Sequence, residues 1–221
     1  MVRKRRATTI PKQASLPRKT PRDYGYFEDF VRARWLKDGR YMALLEPLVF
    51  HQTQDNRVWT APARTRTDGA SIPQVFWSVI GGPFEGKYRD ASVYHDYECC
   101  VQQNPWRDVH RMFYDGMLAS GEAPWRAKLM YFAVYFFGPR WPKSEKRPKG
   151  GFKEGDIARA ADLFQTRRDF ALEDIEALTP TALRSHSPKV PLRIEGAKLL
   201  DDSKAIRPVS RTPPCLEPDA P

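Results

Sequence analysis

The run Leu129 to Phe137 constrains the fold of this chain more than any other stretch. It is apolar throughout, yet about half the length that a bilayer-crossing helix needs. Pro124 stands before it and Gly138-Pro139 closes it. Trp125, Leu129, Phe132, Ala133 and Phe136 recur at helical spacing, so the spacing predicts a hydrophobic helix packed in a protein core. Pro124 belongs at its start, where a missing N–H costs nothing.

Two further helices precede it. Residues 88–102 contain no internal Gly or Pro, and Asn104-Pro105 forms a turn and helix start. Trp106 to Ser120 follows as the next helix, stopped at Gly121. Tyr41 to Phe50 and Val58 to Ala63 read as strands around the polar turn Gln54-Asp55-Asn56. Residues 24–37 fit either a short helix or an opening strand. Residues 154–178 fit one or two amphipathic helices. The expected fold class is α+β: an antiparallel helix pair, a third hydrophobic helix and a small β-hairpin region.

A chain of 221 residues has room for one good core and for tails. Its 20 prolines concentrate in the N-terminal arm, around 139–148, and beyond Thr179. The expected organisation is a basic disordered arm over 1–23, one globular domain over 24–178, and a Pro-rich disordered tail over 179–221. Much of the net charge of +10 sits in the arm. Arg3, Lys4, Arg5, Arg6, Lys12, Arg18, Lys19 and Arg22 face no acid between Met1 and Arg22. Such an arm is either a solvated face or an attraction for nucleic acid or anionic lipid. It lacks the apolar stretch of a secretory signal. With no spanning helix expected, the cytoplasm is the default location. The three cysteines, Cys99, Cys100 and Cys215, do not make a disulfide framework.

The chemistry concentrates between Thr67 and Met117. This stretch holds Asp68-Gly69 in a turn, the pair His95-Asp96 on the first helix, and His110 on the second. Placed on antiparallel helices with the turn near 103–104, His95 lies about two turns before it and His110 about two turns after it. The imidazoles then face each other. Asp96, rotated by about 100° from His95, faces a loop, and Thr67 to Ser71 is the loop best placed to reach it. Two chemistries fit. His95 can act as general base while Asp96 and the Asp68 loop hold Ca²⁺. Alternatively, His95, His110 and a carboxylate can ligate Zn²⁺ or another transition metal. The bland reading leaves Asp68 capping a turn, His110 a packed helix residue, and Cys99, one turn beyond His95, a buried core thiol.

The set D-G-A-S-I-P at 68–73, A-x-x-x-H-D-Y at 91–97, the Phe113 to Met117 run, and the hydrophobic helix closed by F-G at 137–138 resembles a family of uncharacterised bacterial and tailed-phage proteins over about 67–141. More distantly, the stretch is similar to small prokaryotic phospholipases A2. These carry a D-G-C-S-like loop, a C-x-x-H-D helix, and a partner helix whose Asp orients the His. That resemblance implies a phospholipase A2-like helix pair and a metal-assisted hydrolase acting on lipid esters at a membrane. It would make His95 the base, with Asp96, Asp68 and the Gly69 region the calcium site, calcium being favoured over zinc. His110 stands where the orienting Asp belongs, Ala91 and Ser92 where a disulfide cysteine is found, and Cys99 where a Tyr is frequent. Two alternatives stand beside it. One is a transition-metal hydrolase acting on peptidoglycan or another cell-envelope substrate. The other is a non-catalytic phage or prophage component, in which virion association would replace a free cytoplasmic existence.

Overall fold

The computed structural model describes residues 20–69, 72–82, 85–142, 150–186, 200–209 and 215–216. The basic arm up to Lys19 lies outside them, as do Ala70 and Ser71 of the D-G-A-S motif. So do 187–199, 210–214 and 217–221 of the expected tail.

The β region is larger than one hairpin. Six short strands form two three-stranded antiparallel sheets. β1 (Gly25–Phe27), β4 (Leu48–Gln52) and β5 (Arg57–Ala61) make one, in that spatial order. β2 (Ala33–Trp35), β3 (Met42–Leu44) and β6 (Arg66–Thr67) make the other. Residues 24–37 therefore hold two short strands, β1 and β2, and no helix. The stretch expected as one strand from Tyr41 to Phe50 is two, divided before Pro47, whose ring nitrogen cannot donate to a ladder.

In the first sheet the side chains alternate between the two faces with period two. Leu48, Phe50, Trp59 and Ala61 point into the core. Tyr26, His51 and Val58 lie side by side on the outer face, and the Tyr26 and His51 rings stack at 4.5 Å. Gln52 is a polar residue on the inner face, and it is satisfied there. Trp59 Nε1 donates to its Oε1 (2.9 Å), and its Nε2 donates to Asp115 Oδ2 (2.6 Å). This chain of bonds ties the sheet to the helical layer.

That layer contains α1 (Trp77–Ile80), α2 (Arg89–Val101), α3 (Trp106–Ala119), α4 (Pro124–Phe137), α5 (Glu154–Thr166), α6 (Leu172–Glu176) and α7 (Pro180–Ser185). α2 ends where Gln102 turns left-handed (φ 57°), and Pro105 opens α3. The two helices approach closely at Gly116. A side chain there would meet Ala91 Cβ at 2.9 Å. α4 is buried from Ala127 to Phe137. A helix that is apolar on every side has to be enclosed, and α3 and α5 flank it.

The described parts of the tail, 180–186, 200–209 and 215–216, are ordered against the domain. Pro180 opens a short helix instead of breaking one, because the first helical turn needs no N–H there. Thr179 caps it by accepting from Ala182 N (3.1 Å). Leu183 is fully buried, and Arg184 pairs with the buried Asp156 of α5 at 2.6 Å. Further on, Ile206 is buried, and Val209 N donates to Phe137 O (2.9 Å). Cys215 forms a disulfide with Cys100, across 115 residues of sequence. The globular unit thus extends past 178, and two of the three cysteines do pair.

Candidate metal centre

On α2, His95 and Cys99 are one turn apart and face α3. Asp96 is rotated towards β6. On α3, His110 meets His95, with His95 Nε2 2.9 Å from His110 Nδ1. The second ring nitrogen of His110, Nε2, lies 3.2 Å from Pro139 O in the segment that follows α4. A carbonyl can only accept, so His110 carries its proton on Nε2 and offers a bare Nδ1. His95 then donates from Nε2. The Cys99 sulfur completes the group, 3.7 Å from His95 Nε2 and 3.8 Å from Nδ1.

All three side chains are fully enclosed. Phe113 lies against His95 (4.7 Å between centroids), and Trp106 sets its edge on His110 (5.3 Å). Burial pushes His95 down to about 3. His110 is also held well below its usual value, first by burial, then by His95 and the Arg140 guanidinium. Burial, then the Asp96 and Glu98 carboxylates, raise the Cys99 thiol. Both imidazoles are therefore neutral near pH 7, which is the form that binds metals.

The His95, Cys99 and His110 ligand atoms all lie within 4.8 Å of one another. Tetrahedral zinc, with Zn–N near 2.0–2.1 Å and Zn–S near 2.3 Å, sets ligand pairs about 3.4 Å (N···N) and about 3.6 Å (N···S) apart. The His95 Nε2 to Cys99 Sγ separation of 3.7 Å lies close to the second of these. The two imidazoles would part by about half an ångström. Metal binding here needs the His95 proton on Nδ1 and Cys99 as thiolate. The Pro139 carbonyl, by holding His110 Nε2–H, orients that ring with Nδ1 towards the centre. Trp106, which packs on His110, also lines a cleft of ≈ 440 Å³ together with Gln103, Asn104, Asp108 and Trp141.

The structure brings His95 and His110 together. It gives Asp96, Asp68 and Gly69 other partners. Thr67 Oγ1 donates to Asp96 Oδ2 (2.6 Å) and accepts from Gly69 N (3.1 Å). Asp68 Oδ2 accepts from Arg40 (3.0 Å) on the opposite side of the turn. The loop does reach Asp96, but through Thr67. Replacing Thr67 by Val is expected to cost about 1.5 kcal/mol, as a buried carboxylate loses a donor. Thr67→Ser should retain most of that stability, and urea unfolding of both variants checks it. Cys99, expected from the sequence as a core thiol one turn beyond His95, is brought beside both histidines as a third ligand candidate. The four-residue spacing from His95 places both on one helix face; which partner that face meets is decided by α3.

The class defined by fold and site is an α+β protein with a buried His₂Cys cluster. Residues 42–134 match the family model described as "Protein of unknown function (DUF1353)". The chain is 44% identical over 129 residues to the uncharacterized protein y4jT of Sinorhizobium fredii (strain NBRC 101917 / NGR234), covering 54% of this chain and 38% of that protein. It is 48% identical over 83 residues to the uncharacterized protein y4iH of the same strain, covering 38% of this chain and 35% of that protein. The chain thus spans a little over a third of the length of these relatives. The resemblance to an uncharacterised bacterial family therefore stands. No solved structure matches. With no likeness to a phospholipase A2 structure, and with two sheets where a hairpin region was expected, the phospholipase A2-like fold is set aside. Among the described residues, no helix is long and apolar enough to cross a membrane.

Proposed function

We propose that the protein binds a divalent transition metal, zinc being the best match, through His95 Nε2, His110 Nδ1 and Cys99 Sγ. The supporting observation is that one ligand atom from each of these three side chains, drawn from two helices, lies within 4.8 Å of the other two, with His95 Nε2 2.9 Å from His110 Nδ1 and 3.7 Å from Cys99 Sγ. Nitrogen and sulfur donors suit zinc, whereas calcium takes oxygen. The carboxylates that a calcium site would need, Asp96 and Asp68, are engaged by Thr67 and Arg40. Three protein ligands would leave a fourth position for water within the enclosed centre, whereas closed structural zinc sites use four protein ligands. A zinc held by these residues would supply Lewis-acid chemistry, and hydrolysis of an ester or amide is the activity that this reading would support.

Protein purified without chelator is expected to contain about one zinc per chain by elemental analysis, as one ligand set implies. Removing the metal should lower the melting temperature, and added Zn²⁺ or Co²⁺ should restore it. Cys99→Ser and His110→Gln should each weaken Co²⁺ binding by at least about 100-fold, since losing even an outer partner of a ligand costs 10–100-fold. Absence of co-purifying metal, together with no thermal shift from Zn²⁺, Co²⁺ or Ni²⁺, would sink the reading.

A further inference from the structure

Cys99 and Cys100 are consecutive on α2 but differ in what they meet. Cys99 faces His95 and is sealed from solvent. Cys100, about 100° further round the helix, is half-buried and bonded to the half-buried Cys215. The backbone around Cys215 is itself anchored. Its carbonyl accepts from Arg66 N (3.0 Å), and Leu216 bridges antiparallel to Thr65. The next residue of that strand, Thr67, holds Asp96 of α2. A closed circuit results: Cys100, Cys215, Arg66, Thr67, Asp96, and back along α2 to Cys100. Its two attachments to α2, Asp96 and Cys100, are one helical turn apart. The two metal-ligand candidates on that helix, His95 and Cys99, are also one turn apart, each directly preceding an attachment point. A circuit that sets the rotation of α2 about its own axis therefore sets where both ligands point.

We propose that the Cys100–Cys215 disulfide is a redox-sensitive clamp on the metal centre, whose reduction weakens metal binding. This rests on the metal-binding reading of His95, Cys99 and His110. The reductant is a cellular dithiol. One of its thiolates attacks a sulfur of the Cys100–Cys215 bond to form a mixed disulfide, and its second thiol displaces the remaining cysteine. The protein disulfide gains two electrons and two protons and becomes two thiols. The dithiol loses the same and becomes a cyclic disulfide. The half-buried pair is within reach of such a reagent, while the enclosed Cys99 is not. Once reduced, the segment at 215–216 is held to Thr65 and Arg66 by its backbone contacts among the described residues. α2 keeps Thr67 as its single tie to that strand within the circuit, and the ligands lose their preset aim.

The test uses the full chain and Co²⁺ alone as probe, followed by its visible absorption. Oxidised protein is compared with protein reduced by a water-soluble phosphine, which offers no thiol to compete for metal. Cys215→Ser serves as a permanently open form. Reduction and Cys215→Ser are each expected to raise the Co²⁺ dissociation constant about ten-fold, within the usual range for coupled sites. Amide hydrogen exchange should quicken at 66–68 and 95–101 in both open forms, with or without Co²⁺. Equal affinity and equal exchange in the two redox states would overturn the clamp and leave metal binding standing. Tighter binding after reduction would also overturn it, with Cys100 then acting as a ligand. Failure of the oxidised protein to bind Co²⁺ would remove the metal reading and the clamp together. Loss of helical circular dichroism on reduction would make the disulfide a structural staple, and the switch would fall.

Discussion

Replacing Phe132 by Ala is expected to destabilise the protein by about 3–5 kcal/mol, the cost of emptying a large aromatic site in a packed core. Phe132 is fully buried on α4. Its ring meets Phe76, Phe136, Phe137, Phe152 and Phe164, with centroids 5.0 to 6.3 Å away. These partners come from four separate stretches of chain, so the cavity cannot close by shifting one of them. Two terms add: the lost transfer energy of the ring, and the lost dispersion contacts of the walls left behind. Urea unfolding should show a lower midpoint with an unchanged slope. Phe30→Ala is the contrast. Phe30 is 65% exposed, and its removal should stay within about 0.5 kcal/mol. Equal effects at the two positions would contradict the placement of α4 at the centre of the fold.

Lowering the pH of metal-free protein from 7 to 5 is expected to cost about 2 kcal/mol through His95 alone, with His110 adding in the same direction. The sign follows from which state takes up the proton. Unfolded histidine protonates near pH 6.5. Folded His95, pushed down by burial to about 3, does not protonate until much lower pH. The stability present above about pH 6.5 is therefore lost as the pH falls towards 3, because the unfolded state binds a proton that the folded state refuses. Asp90 and Glu98, both raised by burial, act the opposite way in the acid range. The comparison is therefore between wild type and the double variant His95→Gln/His110→Gln, whose stability should vary less between pH 7 and 5. Identical pH profiles would mean that the two imidazoles do not titrate as buried groups.

The helices of this chain were legible in its residues because their signals are local. Pro124 and Gly138 bracket α4, and its unbroken apolar run requires burial. Asn104-Pro105 separates α2 from α3, and the equal distances of His95 and His110 from that turn bring a nitrogen of each ring to within 2.9 Å of the other. The rotation of Asp96 away from His95 followed from helix geometry, as did its meeting with the 67–69 turn. The strands were less legible. β1 pairs with β4 and β2 with β3, so each short segment takes its partner across intervening sequence, and three residues carry too little alternation to specify that pairing. In the described part of the tail, proline density is a poor guide, because it resembles disorder. Pro180 instead sits where a helix tolerates proline, and Leu183 finds a buried place only once α5 exists. Cys99 and Cys100 mark the clearest boundary. Their spacing shows which helix faces they occupy. Tertiary packing alone assigns one to a histidine pair and the other to a cysteine 115 residues away, because those partners come near only when the core closes.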